Sequence, residues 1–165
     1  MARVSGSHLV IFVILLTCSL TVAVRPVCPA QDSASVIYGS WTIKKIIPTS
    51  NVQTSADAAK KYLKTEIEYS RDKFMFGNET VEHPTYKAGK MTRDVFYEQY
   101  RLQLKELGVT SAAVSTIEVL DAKGEPVLQP GAIIFIKSSN VIITMWDGIY
   151  FEMMRTAKVT PIRSS

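Results

Sequence analysis

The sequence is poor in the side chains that most often carry catalysis and metal binding. Its 165 residues include two cysteines and two histidines, and Cys18, Cys28 and His8 all fall within the first 30 positions. Without that segment, His83 is the only histidine left and no disulfide can form within the chain. A zinc site built from several histidines is therefore excluded, and no Gly-x-Ser-x-Gly motif supplies a serine nucleophile. We predict a domain with no catalytic residue, no metal and no cofactor.

The net charge of the chain is also small. The chain has 19 Lys+Arg against 15 Asp+Glu, and Arg3 and Arg25 belong to the first 30 residues, so the remainder carries a surplus of about two positive charges. This surplus is too small to predict nucleic acid or an anionic membrane as a partner. Glu66 and Glu68 alternate as paired carboxylates of a glycosidase could, but such a pair is typical of an ordinary solvent-facing strand.

The one long hydrophobic run lies near the N-terminus. Leu9–Val24 is 16 residues without a charge, followed at once by Arg25. It is shorter than the roughly 20 residues that a membrane span needs, and it is typical of a signal peptide. We predict cleavage after Ala30, with Ala23 as the alternative, and one mature domain over residues 31–165 in the periplasm or secreted. A missing disulfide framework favours a bacterial source, and only an uncleaved segment would attach the chain to a membrane.

Alternation of apolar and polar residues predicts about eight strands in the mature chain. The first, Gly39–Ile47, places Trp41, Ile43 and Ile47 on one face. The pair Asp147-Gly148 favours a type I′ turn that sets Trp146 opposite Ile149. The remaining segments are 65–70, 73–77, an edge or bulged piece around 81–87 that contains Pro84, 113–120, 132–137, 141–146 and 149–156.

Two helices are predicted between the strands. Ser55 caps a short helix over 56–63, and Thr92 caps the main helix over 93–107, which Gly108 ends. The apolar stripe of the main helix indicates that it covers one surface of a sheet. The expected fold class is mainly β, an antiparallel barrel of about eight strands with one main and one short helix. An α+β sheet with both helices on one face is the alternative.

Residues at the two ends of the domain resemble those of the lipocalin-like (calycin) barrels. That superfamily has a Gly-x-Trp on its first strand, here Gly39-Ser40-Trp41, and a basic residue after its last, here Arg155. The resemblance implies that Gly39, Trp41 and Arg155 close one end of a barrel. The chain departs from the pattern in having its longest helix between strands. It is also similar to small uncharacterised exported bacterial proteins, through the segments 84–86 and 146–151, and these imply no chemistry.

Aromatic side chains on the predicted strands suggest the function. The expected ligand-binding residues are Tyr69, Phe74, Phe76, Tyr150 and Phe151, which together offer an apolar lining with two hydroxyl groups. We predict an exported, non-catalytic domain that binds a small apolar or amphipathic ligand inside the barrel. The alternative is a cell-envelope protein-binding module, such as an inhibitor or immunity protein, that uses exposed loops and the Asp147-Gly148 turn. A pocket of about 300 Å³ or more at Tyr69, Phe74 and Phe151 distinguishes the two.

Overall fold

The computed structural model describes residues 33–49 and 56–156. The predicted signal peptide, both cleavage sites and the Ser55 cap lie outside these residues. Within them, nine strands form one antiparallel sheet. The strands are β1 Gly39–Ile47, β2 Glu66–Tyr69, β3 Lys73–Phe76, β4 Glu79–Glu82, β5 Thr85–Thr92, β6 Ala113–Leu120, β7 Ile133–Ile136, β8 Val141–Trp146 and β9 Ile149–Arg155.

The strands are ordered as a meander that curls on itself. Their order across the sheet is β4-β3-β2-β1-β9-β8-β7-β6-β5, so the first strand lies beside the last. β4 and β5 stand at opposite edges of the sheet although two residues separate them in sequence. The sheet must therefore bend until its edges approach each other at this connection. The predicted mainly β, antiparallel class is confirmed, with the barrel present as an open half-barrel.

The count of nine strands, against the eight predicted, follows from the connection between β4 and β5. His83 adopts φ +50° and Pro84 has no backbone N–H, so the extended segment is interrupted there. β4 pairs with β3 and β5 pairs with β6. The prediction that Pro84 marks a sheet edge is confirmed, but the single segment is two strands.

A bulge in β1 changes which of its side chains face inward. The register against β9 shifts between Ile43 and Lys45, and beyond the shift Ile47 lies opposite Tyr150. An extra residue in one strand reverses the alternation of faces after it. The prediction that Ile47 shares a face with Trp41 is therefore wrong.

The β8–β9 hairpin has the predicted register. Asp147 and Gly148 both have positive φ, at +50° and +75°, as a type I′ turn requires. Trp146 lies opposite Ile149, and the register continues without a shift along both strands.

The helices are shorter than predicted. α1 is Ala56–Ala59, followed by a 3-10 helix at Lys60–Tyr62, and α2 is Arg93–Tyr100, capped by the Thr92 hydroxyl as predicted. A separate 3-10 helix, Leu104–Leu107, ends at Gly108 with φ +72°. The prediction of one helix over 93–107 is wrong, because Arg101 takes a left-handed conformation that ends α2. In the part of the chain that is described, no helix has the length and apolar character to cross a membrane.

The core has two clusters, one on each side of the sheet. The interior cluster draws buried side chains from strands all around the curl, among them Trp41, Ile67, Phe74 and Phe151. The helix-side cluster lies between the sheet and the helical segment 93–107 and includes Phe96, Leu104, Phe135, Ile143 and Tyr150. Strands β7 to β9 contribute to both clusters, which explains why these strands are apolar on both faces.

Candidate functional site

The three residues expected to close the barrel meet at one end of the sheet. Trp41 and Arg155 are directly paired across β1 and β9, and the guanidinium carbon lies 4.2 Å from the centre of the indole ring. Gly39 has φ +121°, and a Cβ on it would come within 3.1 Å of the Arg155 Nη1. The missing side chain of Gly39 therefore leaves the space that the guanidinium occupies.

The polar groups of Trp41 and Arg155 are bound to the backbone. Arg155 donates from Nη2 to the Val36 carbonyl and from Nη1 to the Tyr38 carbonyl, both at 2.6 Å. Trp41 donates its indole N–H to the Ile37 carbonyl, also at 2.6 Å. These bonds hold the turn at residues 33–37 over this end of the half-barrel, so the Arg155 side chain serves the fold.

The predicted ligand residues of β2 and β3 lie in the packed interior. Tyr69 stacks on Phe74 with ring centres 5.4 Å apart, and both side chains are buried. The Tyr69 hydroxyl, expected to contact a ligand, donates to the Gly131 carbonyl at 2.8 Å. Burial raises the pKa of Tyr69 well above its ordinary value. The Gly131 N–H in turn donates to the Thr144 hydroxyl at 3.0 Å, so the segment before β7 is tied across the interior.

The five predicted ligand residues do not form one surface. Phe151 is fully buried in the interior cluster with Tyr69 and Phe74, and Phe76 packs against that cluster. Tyr150 directly precedes Phe151 in β9, faces the other side of the sheet and belongs to the helix-side cluster. Burial and then the neighbouring Tyr100 raise the pKa of Tyr150. The role of these five residues as ligand contacts stays a prediction.

A groove on the helix side was not predicted from the sequence. It has a volume of about 510 Å³ and lies between α2 and the 3-10 helix 104–107. We call it the helical groove. Its lining residues are Arg93, Asp94, Tyr97, Gln103, Leu104, Lys105, Val109 and Thr110.

The helical groove exists because the helix is broken at Arg101. Its N–H bonds to the Tyr97 carbonyl at 2.8 Å while its own φ is +53°, which turns the chain away from the α2 axis. The chain restarts at Gln103, whose N–H bonds to the Glu106 carboxylate at 3.1 Å in a capping box. The spacing of Gln103 and Glu106 is the sequence signal that could have revealed the second helix start. Leu102 is a second signal, since it is buried here but would face solvent on a continuous helix.

The helical groove combines an apolar floor with a charged rim. Leu104 and Val109 are buried beneath it, and Tyr97, 49% exposed, stands at its wall. Arg93 at the rim donates from Nε to the Ser111 carbonyl at 3.1 Å and from Nη2 to the Thr110 carbonyl. Such a lining fits a molecule with an apolar body and a polar end.

A second cleft touches three of the predicted site residues. It measures about 830 Å³, lies where β1 starts and β9 ends, and borders Gly39, Tyr69 and Arg155. The hydroxyl of Tyr69 and the guanidinium of Arg155 are already bound to carbonyls, as described above. The helical groove has buried Leu104 and Val109 among its lining residues, which is the apolar surface that an apolar or amphipathic ligand requires.

The described residues hold no group of three His, Cys, Asp or Glu side chains placed to bind a metal ion. Compared with known protein families, curated proteins and solved structures, the chain shows no significant similarity to any of them.

Proposed function

We propose that this chain is an exported, non-catalytic protein that binds a small amphipathic molecule in the helical groove. The observation that carries the proposal is the groove itself, a 510 Å³ space with buried Leu104 and Val109 beneath it. Binding sites for small molecules typically measure about 300–1,000 Å³ and are mostly apolar with a few polar groups. Export is supported by the uncharged run Leu9–Val24.

A lipocalin-like ancestry is part of the same proposal. It is supported by the curled antiparallel sheet and by the Trp41–Arg155 pair that joins its first and last strands. A lipocalin-like barrel would hold its ligand inside. Here the interior holds the packed side chains of Phe74 and Phe151 and the segment tied by Gly131, so we place the ligand on the helix side.

The energetics favour an amphipathic ligand over a fully polar one. Each methylene group that leaves water for an apolar site contributes about 0.8 kcal/mol, so most of the affinity would come from the floor of the groove. Lys105 at the rim would orient the polar end of the ligand toward solvent, while Arg93 is held by the carbonyls of Ser111 and Thr110. Tyr97 can cover the ligand from the side, since an aromatic ring adds a large contact area with little loss of side-chain freedom.

Native mass spectrometry of protein isolated from its host would detect a co-purifying molecule. Binding of lysolipids and fatty acids would then be measured by displacement of a fluorescent probe from the purified mature chain. Tyr97→Ala is the test variant and Val95→Ala is its matched control, because both are half exposed on α2 while Val95 does not line the groove.

We expect Tyr97→Ala to weaken binding about tenfold, which corresponds to about 1.4 kcal/mol of lost contact. Val95→Ala should leave the dissociation constant within about twofold. Equal effects of the two substitutions would contradict binding in the helical groove. A bare protein that binds none of the lipids would contradict the ligand function altogether and favour the protein-binding alternative.

A further inference from the structure

Strand β5 is a long sheet edge with one paired side. All eight of its residues, Thr85–Thr92, lie opposite residues of β6. Within residues 33–49 and 56–156, β6 is its only strand partner. Near the start of β5, Tyr86 donates its hydroxyl to the Ser70 carbonyl at 2.7 Å. Beyond Tyr86, the outer side of this edge is a template on which another strand can bind.

Contacts at the two ends of β5 show which of its residues form backbone hydrogen bonds to β6. The Arg93 N–H bonds to the Ala112 carbonyl, which places residues 91, 89, 87 and 85 in the pairs that bond to β6. Val119, opposite Tyr86, directs its N–H and C=O to Ala132 and Val127 on its other side, which agrees with this phase. The N–H and C=O groups of Ala88 and Lys90 therefore point away from β6.

The centre of this edge is sterically open. Ala88, Gly89 and Lys90 are exposed, and the first two have little or no side chain to shield the backbone. A Cβ on Gly89 would come within 2.9 Å of the Thr116 hydroxyl oxygen, so glycine keeps β5 close against β6. No proline falls within the strand to interrupt an incoming ladder of hydrogen bonds.

Two lysines lie beside the edge, and one of them carries a charge that is unpaired within the described residues. Lys87 and Lys90 are both exposed, and Lys87 forms an ion pair with Glu118 at 3.6 Å. Lys90 has no ion-pair partner among the described residues. Lysines on an edge disfavour association with neutral or basic strands, because bringing such a strand close would desolvate a charge without compensating it. An acidic strand supplies that compensation.

We propose that β5 binds an extended, acidic segment of a partner protein, which adds to the sheet as a tenth strand. The outward N–H and C=O groups of Ala88 and Lys90 would form the central hydrogen bonds, and carboxylates on one face of the segment would lie beside Lys90. Lys87 projects from the other face of the strand and keeps Glu118 as its partner. Backbone pairing supplies affinity in this mode of recognition, and side chains at alternate positions supply specificity. The surface lies on a different element from the helical groove, so it does not depend on the ligand proposal.

The probe is a synthetic peptide that alternates glutamate with valine, and a lysine–valine peptide is its counterpart. Binding to the mature chain is measured by NMR chemical-shift changes and by fluorescence anisotropy at low and high salt. We expect the acidic peptide to bind, to shift amide signals of residues 86–92 and to weaken at high salt. The lysine peptide should bind at least tenfold more weakly.

Ala88→Pro tests the backbone contact. It removes an N–H that points away from β6, so the β5–β6 ladder can remain intact, while Ala88→Ser keeps the N–H. We expect a loss of at least tenfold in peptide affinity for the proline variant and a change within threefold for the serine variant. Retained binding by a folded Ala88→Pro protein would overturn the proposal.

Reversing the charge at Lys90 provides a second test of the proposal, which applies even if Ala88→Pro fails to fold. Lys90→Glu should weaken the acidic peptide and strengthen the lysine peptide, while Lys90→Arg should change neither. Unchanged preference in Lys90→Glu, or shifts confined to α2, would overturn the proposal. Self-association of the chain through residues 86–92 without peptide, measured by analytical ultracentrifugation, would also overturn it by making a second copy the partner.

Discussion

The guanidinium of Arg155 lies over the indole ring of Trp41, 4.2 Å from its centre, in a pair that joins the last strand to the first. The same guanidinium binds the carbonyls of Val36 and Tyr38. One side chain thus links the turn before β1, the first strand and the last strand. Because these contacts connect residues more than a hundred positions apart, they form only when the whole sheet has curled.

Trp41→Ala should lower the free energy of unfolding by about 3–5 kcal/mol, since the indole is fully buried and a large cavity would remain. Trp146→Ala is the control, because Trp146 is only partly buried against the same cluster. The Trp146→Ala variant should lose clearly less unfolding free energy than Trp41→Ala. Chemical denaturation of the protein measures both free energies, and equal losses would contradict the central position of Trp41 in the core.

Arg155→Lys should loosen the turn at residues 33–37 although it keeps the charge. A lysine cannot donate to the Val36 and Tyr38 carbonyls at once in the planar geometry of a guanidinium. We expect faster hydrogen exchange at residues 37 and 38 and a stability loss of about 1–3 kcal/mol. Exchange at these positions that matches the wild type would show that other contacts hold the turn.

Gly131→Ala should destabilise the protein more than Gly124→Ala. Both glycines have positive φ, at +93° and +84°, so both substitutions strain the backbone. A Cβ at Gly131 would also come within 3.1 Å of the Tyr69 hydroxyl and of Ile67, whereas no described atom lies within 4 Å at Gly124. We expect the additional loss at Gly131 to be about 1–3 kcal/mol, as overpacking costs in other cores.

The comparison of Gly131→Ala and Gly124→Ala uses thermal and denaturant unfolding. Tyrosine signals in the NMR spectrum report whether the Tyr69 to Gly131 hydrogen bond survives. Equal losses for the two variants would mean that the segment before β7 is not tightly packed on β2.

The stability of the fold should fall in acid partly through Glu152. Burial opposes its charge, but hydrogen bonds and charges from Lys137 and Lys45 outweigh that effect and hold the pKa of Glu152 below its ordinary value. A carboxyl group with a lowered pKa in the folded state stabilises the fold above its unfolded pKa. That contribution is lost as the pH falls below about 4.5 and through the folded pKa.

Glu152→Gln should therefore reduce stability at pH 7 and flatten its decline toward pH 3. Lys137→Met should also reduce stability at pH 7 and flatten the decline, because Lys137 Nζ lies 2.9 Å from the Glu152 carboxylate. Unfolding free energies measured across this pH range check both variants. A decline in Glu152→Gln as steep as in the wild type would assign the acid sensitivity to other groups.

Local patterns in the sequence determined much of the secondary structure. The limits of β1 and β6 agree with the alternation of their residues, and Asp147-Gly148 specifies the β8–β9 turn and hence its register. Thr92 begins α2 and Gly108 ends the following 3-10 helix. These features depend on a few neighbouring residues whose backbone preferences act independently of the rest of the chain.

Features that depend on contacts between distant segments appear only in the tertiary structure. The bulge that turns Ile47 to the helix side is set by pairing of β1 with β9. The interior is filled by side chains from strands all around the curl, and Gly131 is held there by hydrogen bonds with Tyr69 and Thr144. The helical groove and the free edge of β5 follow from the break at Arg101 and from the position of β5 in the sheet. Packing of one segment on another outweighs local preference at each of these points. The sequence by itself therefore determined most strand limits and turns, but the tertiary structure decided where β4 ends and β5 begins and which surfaces remain open to a ligand or partner.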